Sequence, residues 1–196
     1  MAMSLELDYR LRWMDFDRYG RMQPTAILDL FQDVATIQAN GMGIGRDNMI
    51  AKGVFWAVIR SKFEIVRDPT PSTVVKVRTW PHTPTRFSFL RDFSMRDEMG
   101  ELLVKGTSEW VLMDIQTRKF ASVKDYYSGS EEFDEARMFE AKPRKLADFG
   151  EGNLPVCTMQ PSYTDIDVNG HVNNARYADF VVNALNPGES GAIRTF

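Results

Sequence analysis

The stretch "PTAILDLFQDVATIQANG", residues 24 to 41, predicts a long and largely buried helix. Pro24 suits the first helical position, and Asn40 with Gly41 is typical of a helix end. The apolar residues recur at the spacing of one helical face: Ile27, Leu30, Phe31, Val34 and Ile37. Because charged residues are few, we expect other elements to cover most of this helix.

The sequence around the helix changes to a period of two, which is typical of strands. We predict a strand over residues 5–13 and four more over residues 55–66, 73–80, 86–95 and 101–115, with a hairpin turn at 97–100. In the second strand one face is predicted to carry Phe55, Ala57, Ile59, Phe63 and Ile65. The pattern indicates an α+β unit in which one antiparallel sheet wraps a single helix.

The chain divides into three parts by composition. Residues 1–121 carry the strand–helix–strands pattern, and residues 122–153 are rich in charged residues and lack a sustained period. We interpret residues 122–153 as a linker crossing the surface, and residues 154–196, from near Leu154, as the start of a second unit.

The second unit repeats part of the first. "WMDFDRYGRMQPTAILDLF" (13 to 31) aligns without a gap with "YTDIDVNGHVNNARYADFV" (163 to 181) at an offset of 150 residues. The identical pairs are Asp15/Asp165, Asp17/Asp167, Gly20/Gly170 and Asp29/Asp179. We favour duplication over convergence on a common strand–turn–helix pattern. The shared positions are predicted to set the turn. The positions that differ, Asn169 and His171 against Tyr19 and Arg21, are where function can have diverged.

The second unit is short. Its predicted helix starts near Asn173, carries an apolar side of Tyr177, Phe180, Val181, Ala184 and Leu185, and is followed by the beginning of a strand at residues 192–196. Such a helix would face a sheet that is mostly missing, beside an unpaired strand edge. We therefore expect the chain to be a fragment, or to be completed by another chain, for example in a homodimer.

Composition excludes several classes. The net charge of −3 does not favour a nucleic-acid partner. The single cysteine, Cys157, cannot form an internal disulfide and fits a reducing, cytoplasmic location. We find no signal peptide and no apolar run long enough to span a bilayer. No His/Cys cluster has metal-ligand spacing, and we expect no cofactor.

Four segments together resemble one family, the acyl-acyl carrier protein (acyl-ACP) thioesterases. They are "RWMDFDRYGRMQPTAILDLFQD", "RTWPHTPTRFSFLRDF", "SEWVLMD" with "TRKF" after it, and "DIDVNGHVNNARYADF". The resemblance implies a tandem hotdog fold, each hotdog being a long central helix wrapped by an antiparallel sheet, with the second one truncated in this chain. It implies hydrolysis of acyl-ACP to free fatty acid and ACP, which ends fatty acid biosynthesis. The implied partner is an acyl carrier protein bearing a fatty acyl-phosphopantetheine, and the first hotdog is implied to shape the acyl-chain pocket.

The same resemblance implies catalytic roles for Asp167, Asn169 and His171, the Asp-x-Asn-x-His motif. It also implies an acidic residue on the strand after the second helix, expected beyond Phe196. A neutral histidine can take a proton from water near pH 7. Backbone N–H groups at the start of the helix could hold the carbonyl oxygen.

Structural alternatives remain for each of these residues. His171 could be an ordinary loop histidine, Asp167 could serve only the turn, and Asn173 or Asn174 is most simply a helix N-cap. His82 is predicted to be solvated, and a Cys157–His171 nucleophile is disfavoured. Basic contacts to an acidic carrier could come from residues 142–145, residues 117–119 and Arg176. The alternative functions are an acyl-CoA thioesterase of the same fold and a non-catalytic acyl-binding fragment.

Overall fold

The computed structural model describes residues 3–127, 133–134, 136–147, 152, 157–189 and 191–196. The described elements begin with β1 (Leu5–Arg10), α1 (Pro24–Gly41) and α2 (Arg46–Ala51). The strands that follow are β2 (Val54–Ile65), β3 (Val74–Pro81), β4 (Ser88–Arg96), β5 (Leu102–Asp114) and β6 (Phe120–Ala121). The last helices are α3 (Val123–Tyr126) and α4 (Arg176–Leu185), and two 3-10 turns cover Trp13–Asp15 and Tyr163–Asp165.

The strands form one antiparallel sheet in the order β1-β3-β4-β5-β2, and β6 pairs with β5. α1 lies across one face of this sheet. The Phe31 ring of α1 stacks on Phe93 of β4 with ring centroids 4.6 Å apart. A Cβ added at Gly106 of β5 would lie 2.3 Å from the same ring, so this glycine allows the close approach of helix and sheet. The α+β architecture predicted for the first unit is confirmed.

The predicted bounds of α1 are confirmed, and its buried face differs in part from the predicted one. Ile27 and Val34 are fully buried, and Phe31 is nearly so. Ile37, which was predicted to belong to this stripe, is 43% exposed, and Gln38 is buried in its place. The buried face of α1 therefore ends in a polar side chain.

The predicted faces of β2 are wrong in its first half. Trp56 pairs with Leu112 and Phe63 pairs with Gly106, and these two positions of β5 have the same parity, so Trp56 and Phe63 share a face. A register shift between Val58 and Arg60 places one extra residue in β2. Because a β-bulge reverses the alternation of side chains, Phe55 and Ala57 lie on the opposite face from Phe63.

The C-terminal residues attach to this first unit. Ala175 and Ala178 are buried, and the α4 residue Arg176 pairs with Asp29 of α1 at 3.5 Å. The Phe63 N–H donates to the Phe196 carbonyl at 3.0 Å, and the two rings stack. The predicted unpaired edge is thus wrong, because residues 194–196 pair with β2. The predicted apolar side of α4 remains exposed at Tyr177, Val181 and Leu185.

The described part of the predicted linker crosses the outer face of the sheet. Trp80 Nε1 donates to the Ala136 carbonyl at 2.7 Å, and the Met138 N–H donates to Asp92 Oδ2 at 2.8 Å. The predicted start of the second unit near Leu154 lies outside the described residues. Among the residues that the structure describes, no helix combines the length and the apolar character needed to cross a membrane.

His82 is buried, so its predicted solvation is wrong. Its backbone N–H donates to the Leu90 carbonyl at 2.9 Å, which extends the pairing of β3 and β4 by one residue. Its Nε2 lies 3.2 Å from Asp92 Oδ2. The residue therefore belongs to the sheet and not to an exposed loop.

Asp29→Asn is expected to stabilise the protein slightly at neutral pH. Burial raises the pKa of the Asp29 carboxyl, and Asp179 and Asp15 raise it further against the lowering effect of Arg176 and Arg12. A folded pKa above the unfolded value of about 3.9 means that protonation favours the folded state. The loss of stability caused by the charged Asp29 carboxylate is fully present above the folded-state pKa. It disappears as the pH falls through the unfolded-state pKa.

The measurement is the free energy of unfolding of parent and variant between pH 3 and 7. We expect a gain of up to about 0.5 kcal/mol at pH 7 that vanishes near pH 3. Asp47→Asn, at a side chain that is 91% exposed, is the control. A gain independent of pH, or a loss at pH 7, would contradict a raised pKa of the Asp29 carboxyl.

Candidate active site

The Asp-x-Asn-x-His motif forms a tight turn around one carboxylate. Asp167 Oδ1 accepts the N–H groups of Asn169 at 2.8 Å and His171 at 3.3 Å. The Asp167 N–H donates in turn to the His171 carbonyl at 2.8 Å. Gly170 has φ = 74°, a left-handed conformation that favours glycine. Asp167 therefore sets the shape of the turn that presents the other two side chains.

The first repeat builds the same turn. Asp17 Oδ1 accepts the N–H groups of Tyr19 at 2.8 Å and Arg21 at 2.9 Å. Gly20 has φ = 75°, and an isolated bridge, Phe16–Met22, closes the turn as Ile166–Val172 does in the second copy. The prediction that the shared Asp and Gly positions set the turn is confirmed, and the matching hydrogen bonds support duplication.

The amide of Asn169 is held at both ends. Its Oδ1 accepts a hydrogen bond from Arg46 Nε at 2.8 Å, and its Nδ2 donates to Asp167 Oδ2 at 3.3 Å. One Nδ2–H remains for a ligand. Arg46 lies on α2, a six-residue helix that the sequence analysis did not predict. Its contact with Asn169 joins residues 123 positions apart, so no local sequence pattern predicts this contact.

His171 is exposed and lies five residues before the first residue of α4, Arg176. α4 begins three residues later than predicted, because residues 173–175 form a turn. Asn173 supports this turn: its Oδ1 accepts the Ala175 N–H at 2.9 Å and its carbonyl accepts the Arg176 N–H at 2.9 Å. The prediction that Asn173 or Asn174 is the N-cap is wrong, because Ala175 is the N-cap residue of α4 and its side chain makes no capping hydrogen bond. The dipole of α4 acts on His171 less than expected, since its effect at the N-terminus falls off within the first turn of the helix.

These contacts also reduce the number of N–H donors available for the oxyanion hole that was expected at the helix start. The N–H groups of Asn173, Ala175 and Arg176 all donate to acceptors within the chain. They are not free to bind a carbonyl oxygen. The Asn169 amide provides a further donor for a ligand at this site, since one of its Nδ2–H groups has no partner among the described residues.

All three motif residues line one large cavity of about 1070 Å³. The opposite wall comes from α1, β2, β4 and β5 and is largely apolar, with Ala35, Ala39, Trp56, Val58, Phe89 and Trp110. The imidazole and the carboxamide therefore stand beside a space that can take an apolar chain. The structure brings Asp167, Asn169 and His171 together at one cavity, as the motif predicts.

The candidate basic residues divide into two kinds. Arg118 lines the cavity, with its guanidinium 5.5 Å from the centroid of the Phe55 ring. Arg176 instead pairs with Asp179 at 2.9 Å and with Asp29, so it joins α4 to α1. Within the described ranges, no three His, Cys, Asp or Glu side chains are grouped to hold a metal ion.

Comparisons with known proteins agree with the fold. The family model of the acyl-ACP thioesterase N-terminal domain matches residues 3–129, and that of the C-terminal domain matches residues 154–188. A chloroplastic acyl-[acyl-carrier-protein] hydrolase, FATB2 of Cuphea viscosissima, is 30% identical over 175 residues, covering 86% of this chain and 42% of that protein. A chloroplastic palmitoyl-acyl carrier protein thioesterase of Arabidopsis thaliana is 28% identical over 181 residues, covering 86% of this chain and 42% of its own length. The chain thus spans less than half the length of these relatives.

Solved structures give the same family. An acyl-ACP thioesterase from Bacteroides thetaiotaomicron matches with a TM-score of 0.85 and 25% identity, covering 98% of this chain and 79% of that one. The 12:0-ACP thioesterase from Umbellularia californica matches with a TM-score of 0.85 and 24% identity, covering 100% of this chain and 80% of that one, which shows the shared fold. The hotdog fold implied by the resemblance is confirmed. The chain belongs to the acyl-ACP thioesterase family.

Proposed function

We propose that this protein hydrolyses the thioester of acyl-ACP, releasing a free fatty acid and ACP at the end of fatty acid biosynthesis. The observation that carries the proposal is that Asn169 and His171 line the same cavity as an apolar wall. An acyl chain can be buried against Trp56, Phe89 and Trp110 while its thioester carbonyl stays at the polar motif. Family membership supports the same reaction.

His171 acts as the general base in this proposal. A neutral imidazole removes a proton from water, and the water oxygen attacks the carbonyl carbon of the thioester. The carbonyl π-electrons move to its oxygen and form a tetrahedral oxyanion. When the oxyanion collapses, the C–S bond breaks and the pantetheine sulfur leaves as a thiolate. The imidazolium of His171 returns its proton to that sulfur.

Asn169 stabilises the oxyanion with its remaining Nδ2–H. A donor held in place before the reaction is worth about 2.7–4 kcal/mol to the transition state. Arg46 and Asp167 keep the amide in position, since they bind its oxygen and its other N–H. Asp167 is in this mechanism a positioning residue that shapes the turn.

We extend the proposal to the organisation of the chain. Residues 1–121 form the hotdog that holds the acyl chain. Residues 122–153 connect it to residues 154–196, which carry the catalytic motif. The partner is an acyl carrier protein bearing a fatty acyl-phosphopantetheine, and its acidic surface approaches Arg118 at the cavity. We also propose that the protein forms a homodimer and is located in the cytoplasm.

The test compares two substrates with the same acyl chain. The full-length protein is incubated with equal concentrations of acyl-ACP and acyl-CoA, and the free fatty acid is measured by mass spectrometry. Faster release from acyl-ACP supports the proposal. Faster release from acyl-CoA assigns the protein to acyl-CoA hydrolysis, and binding of acyl-ACP without release from either substrate makes it an acyl-binding protein.

Arg46→Gln is expected to lower kcat about 3- to 10-fold with little change in KM, because one hydrogen bond of about 0.5–1.5 kcal/mol to Asn169 is lost. The matched control is Arg118→Gln, which removes the same charge from the same cavity without contacting the motif in the described structure. Steady-state kinetics with acyl-ACP separate the two. Equal losses in both variants, or a change confined to KM in Arg46→Gln, would remove Arg46 from its positioning role.

A further inference from the structure

Three rows of side chains cross β4, β5 and β2 on the face of the sheet that α1 covers. The strand register places Phe89, Trp110 and Val58 in the first row. It places Arg91, Ser108 and Ser61 in the second row, which we call the polar row. The third row is Phe93, Gly106 and Phe63. A polar row thus separates two rows that contain no polar side chain except the indole N–H of Trp110.

Arg91 is the charged member of the polar row and is only 6% exposed. Its Nη1 donates to Gln38 Oε1 and to Thr79 Oγ1, both uncharged acceptors. In the part of the chain that the structure describes, no carboxylate pairs with it. Burial lowers the pKa of Arg91 to about 9, so the guanidinium remains protonated at neutral pH.

A buried cation without a counter-ion is unfavourable, and apolar residues of similar volume often stabilise such a position. On the buried face of α1, Gln38 takes the place that the sequence pattern assigned to Ile37. The polar row also divides the core, since Phe93 belongs to one apolar cluster and Phe89 to another. We therefore explain the presence of Arg91 by its effect on the adjacent cavity and not by a contribution to core packing.

The large cavity reaches the polar row only at Arg91. Its walls include Phe89, Trp110 and Val58 of the first row, and none of the third row. A second cavity of about 200 Å³ is lined by Phe93 and the two serines of the polar row, and it shares Val58 and Trp110 with the large cavity. Arg91 stands where the apolar wall of the large cavity ends.

We propose that Arg91 sets the upper length limit of the acyl chain, by presenting a hydrated guanidinium at the end of the apolar wall. This inference rests on the proposed function and names a specificity-determining residue for it. Two of the five N–H donors of the guanidinium are used by Gln38 and Thr79, and the other three have no protein partner among the described residues. A methylene chain that reaches them displaces their water and offers no acceptor. A shorter chain leaves that water in place.

The limit is thus set by desolvation, and this distinguishes it from a steric stop. A chain of the first rejected length should be accepted again when its terminal methyl group is replaced by a hydroxymethyl group, because the hydroxyl oxygen accepts from the guanidinium. A steric stop would reject both chains alike. This comparison requires only the parent protein.

The experiment measures binding of uncharged amide analogues of acyl-pantetheine, from the octanoyl to the stearoyl chain, by isothermal titration calorimetry. In the parent protein, Kd is expected to fall about tenfold per two added carbons until the limit, and then to rise. In Arg91→Met the fall should continue for at least two further carbons. Arg91→Lys, which retains a cation, should keep a limit, and the ω-hydroxy analogue of the first rejected chain should bind the parent at least tenfold more tightly than the plain one.

Equal limits in the parent and Arg91→Met, or equal affinities of the plain and ω-hydroxy chains for the parent, would overturn the inference. If Arg91→Met does not fold, as judged by circular dichroism, the ω-hydroxy comparison still decides. Because these analogues are bound and not cleaved, a parent that shows the length limit but releases no fatty acid from acyl-ACP contradicts the proposed hydrolysis alone.

Discussion

His171→Ala is expected to lower kcat of the full-length protein with acyl-ACP by about 10²- to 10⁴-fold, the usual contribution of a general base. The imidazole is the group in the motif that can take a proton from water at neutral pH. Asn169, still held by Asp167, would bind and orient the thioester as before, so KM should change little.

The same substitution should leave the fold intact. The His171 side chain is exposed, and the turn is held by its backbone N–H and carbonyl. The free energy of unfolding is expected to stay within about 0.5 kcal/mol of the parent. Tyr163→Ala, at a side chain that is 94% exposed before the turn, is the control and should retain turnover. Unchanged turnover in His171→Ala would end the assignment of this residue.

Gly106→Val is expected to destabilise the fold by about 3 kcal/mol or more, the upper range for overpacking a core. The new Cβ would lie 2.3 Å from the Phe31 ring. This ring cannot retreat easily, because it stacks on Phe93 at 4.6 Å between α1 and the sheet. The helix would have to lift from the strands that it covers.

Urea denaturation measures this loss of stability, and two further variants test its cause. Thr107→Val changes the next residue of β5, whose side chain points to the other face, and should cost far less. Combining Gly106→Val with Phe31→Ala should give a loss smaller than the sum of the two single changes, because the second substitution removes the clashing ring. Additive losses, or a Gly106→Val variant as stable as the parent, would show that helix and sheet are not in the contact described.

Much of the first unit could be predicted from local pattern. Pro24, the 3.6-residue period and the Asn40–Gly41 end gave α1 with both bounds, because they act within one turn of the chain. The strands followed from alternation. The faces of β2 did not, because the bulge at Ile59 depends on pairing with β5, and one extra residue reverses every side chain on one side of it.

The candidate site divides in the same way. Asp167, Asn169 and His171 lie within five residues, so their motif and its repeat at Asp17 were visible in the sequence. Arg46 and Arg91 meet the site through contacts between distant segments, and only the fold places them there. His82 was assigned to solvent because its burial depends on the pairing of β3 with β4.

The most direct test of the proposed active site is a crystal structure of the protein with a non-hydrolysable acyl-pantetheine amide. We expect the amide oxygen about 3 Å from Asn169 Nδ2, the carbonyl carbon beside the His171 imidazole with room for one water between them, and the chain along Trp56, Phe89 and Trp110 towards Arg91. A chain bound outside this cavity, or a carbonyl turned away from both motif side chains, would contradict the proposed site.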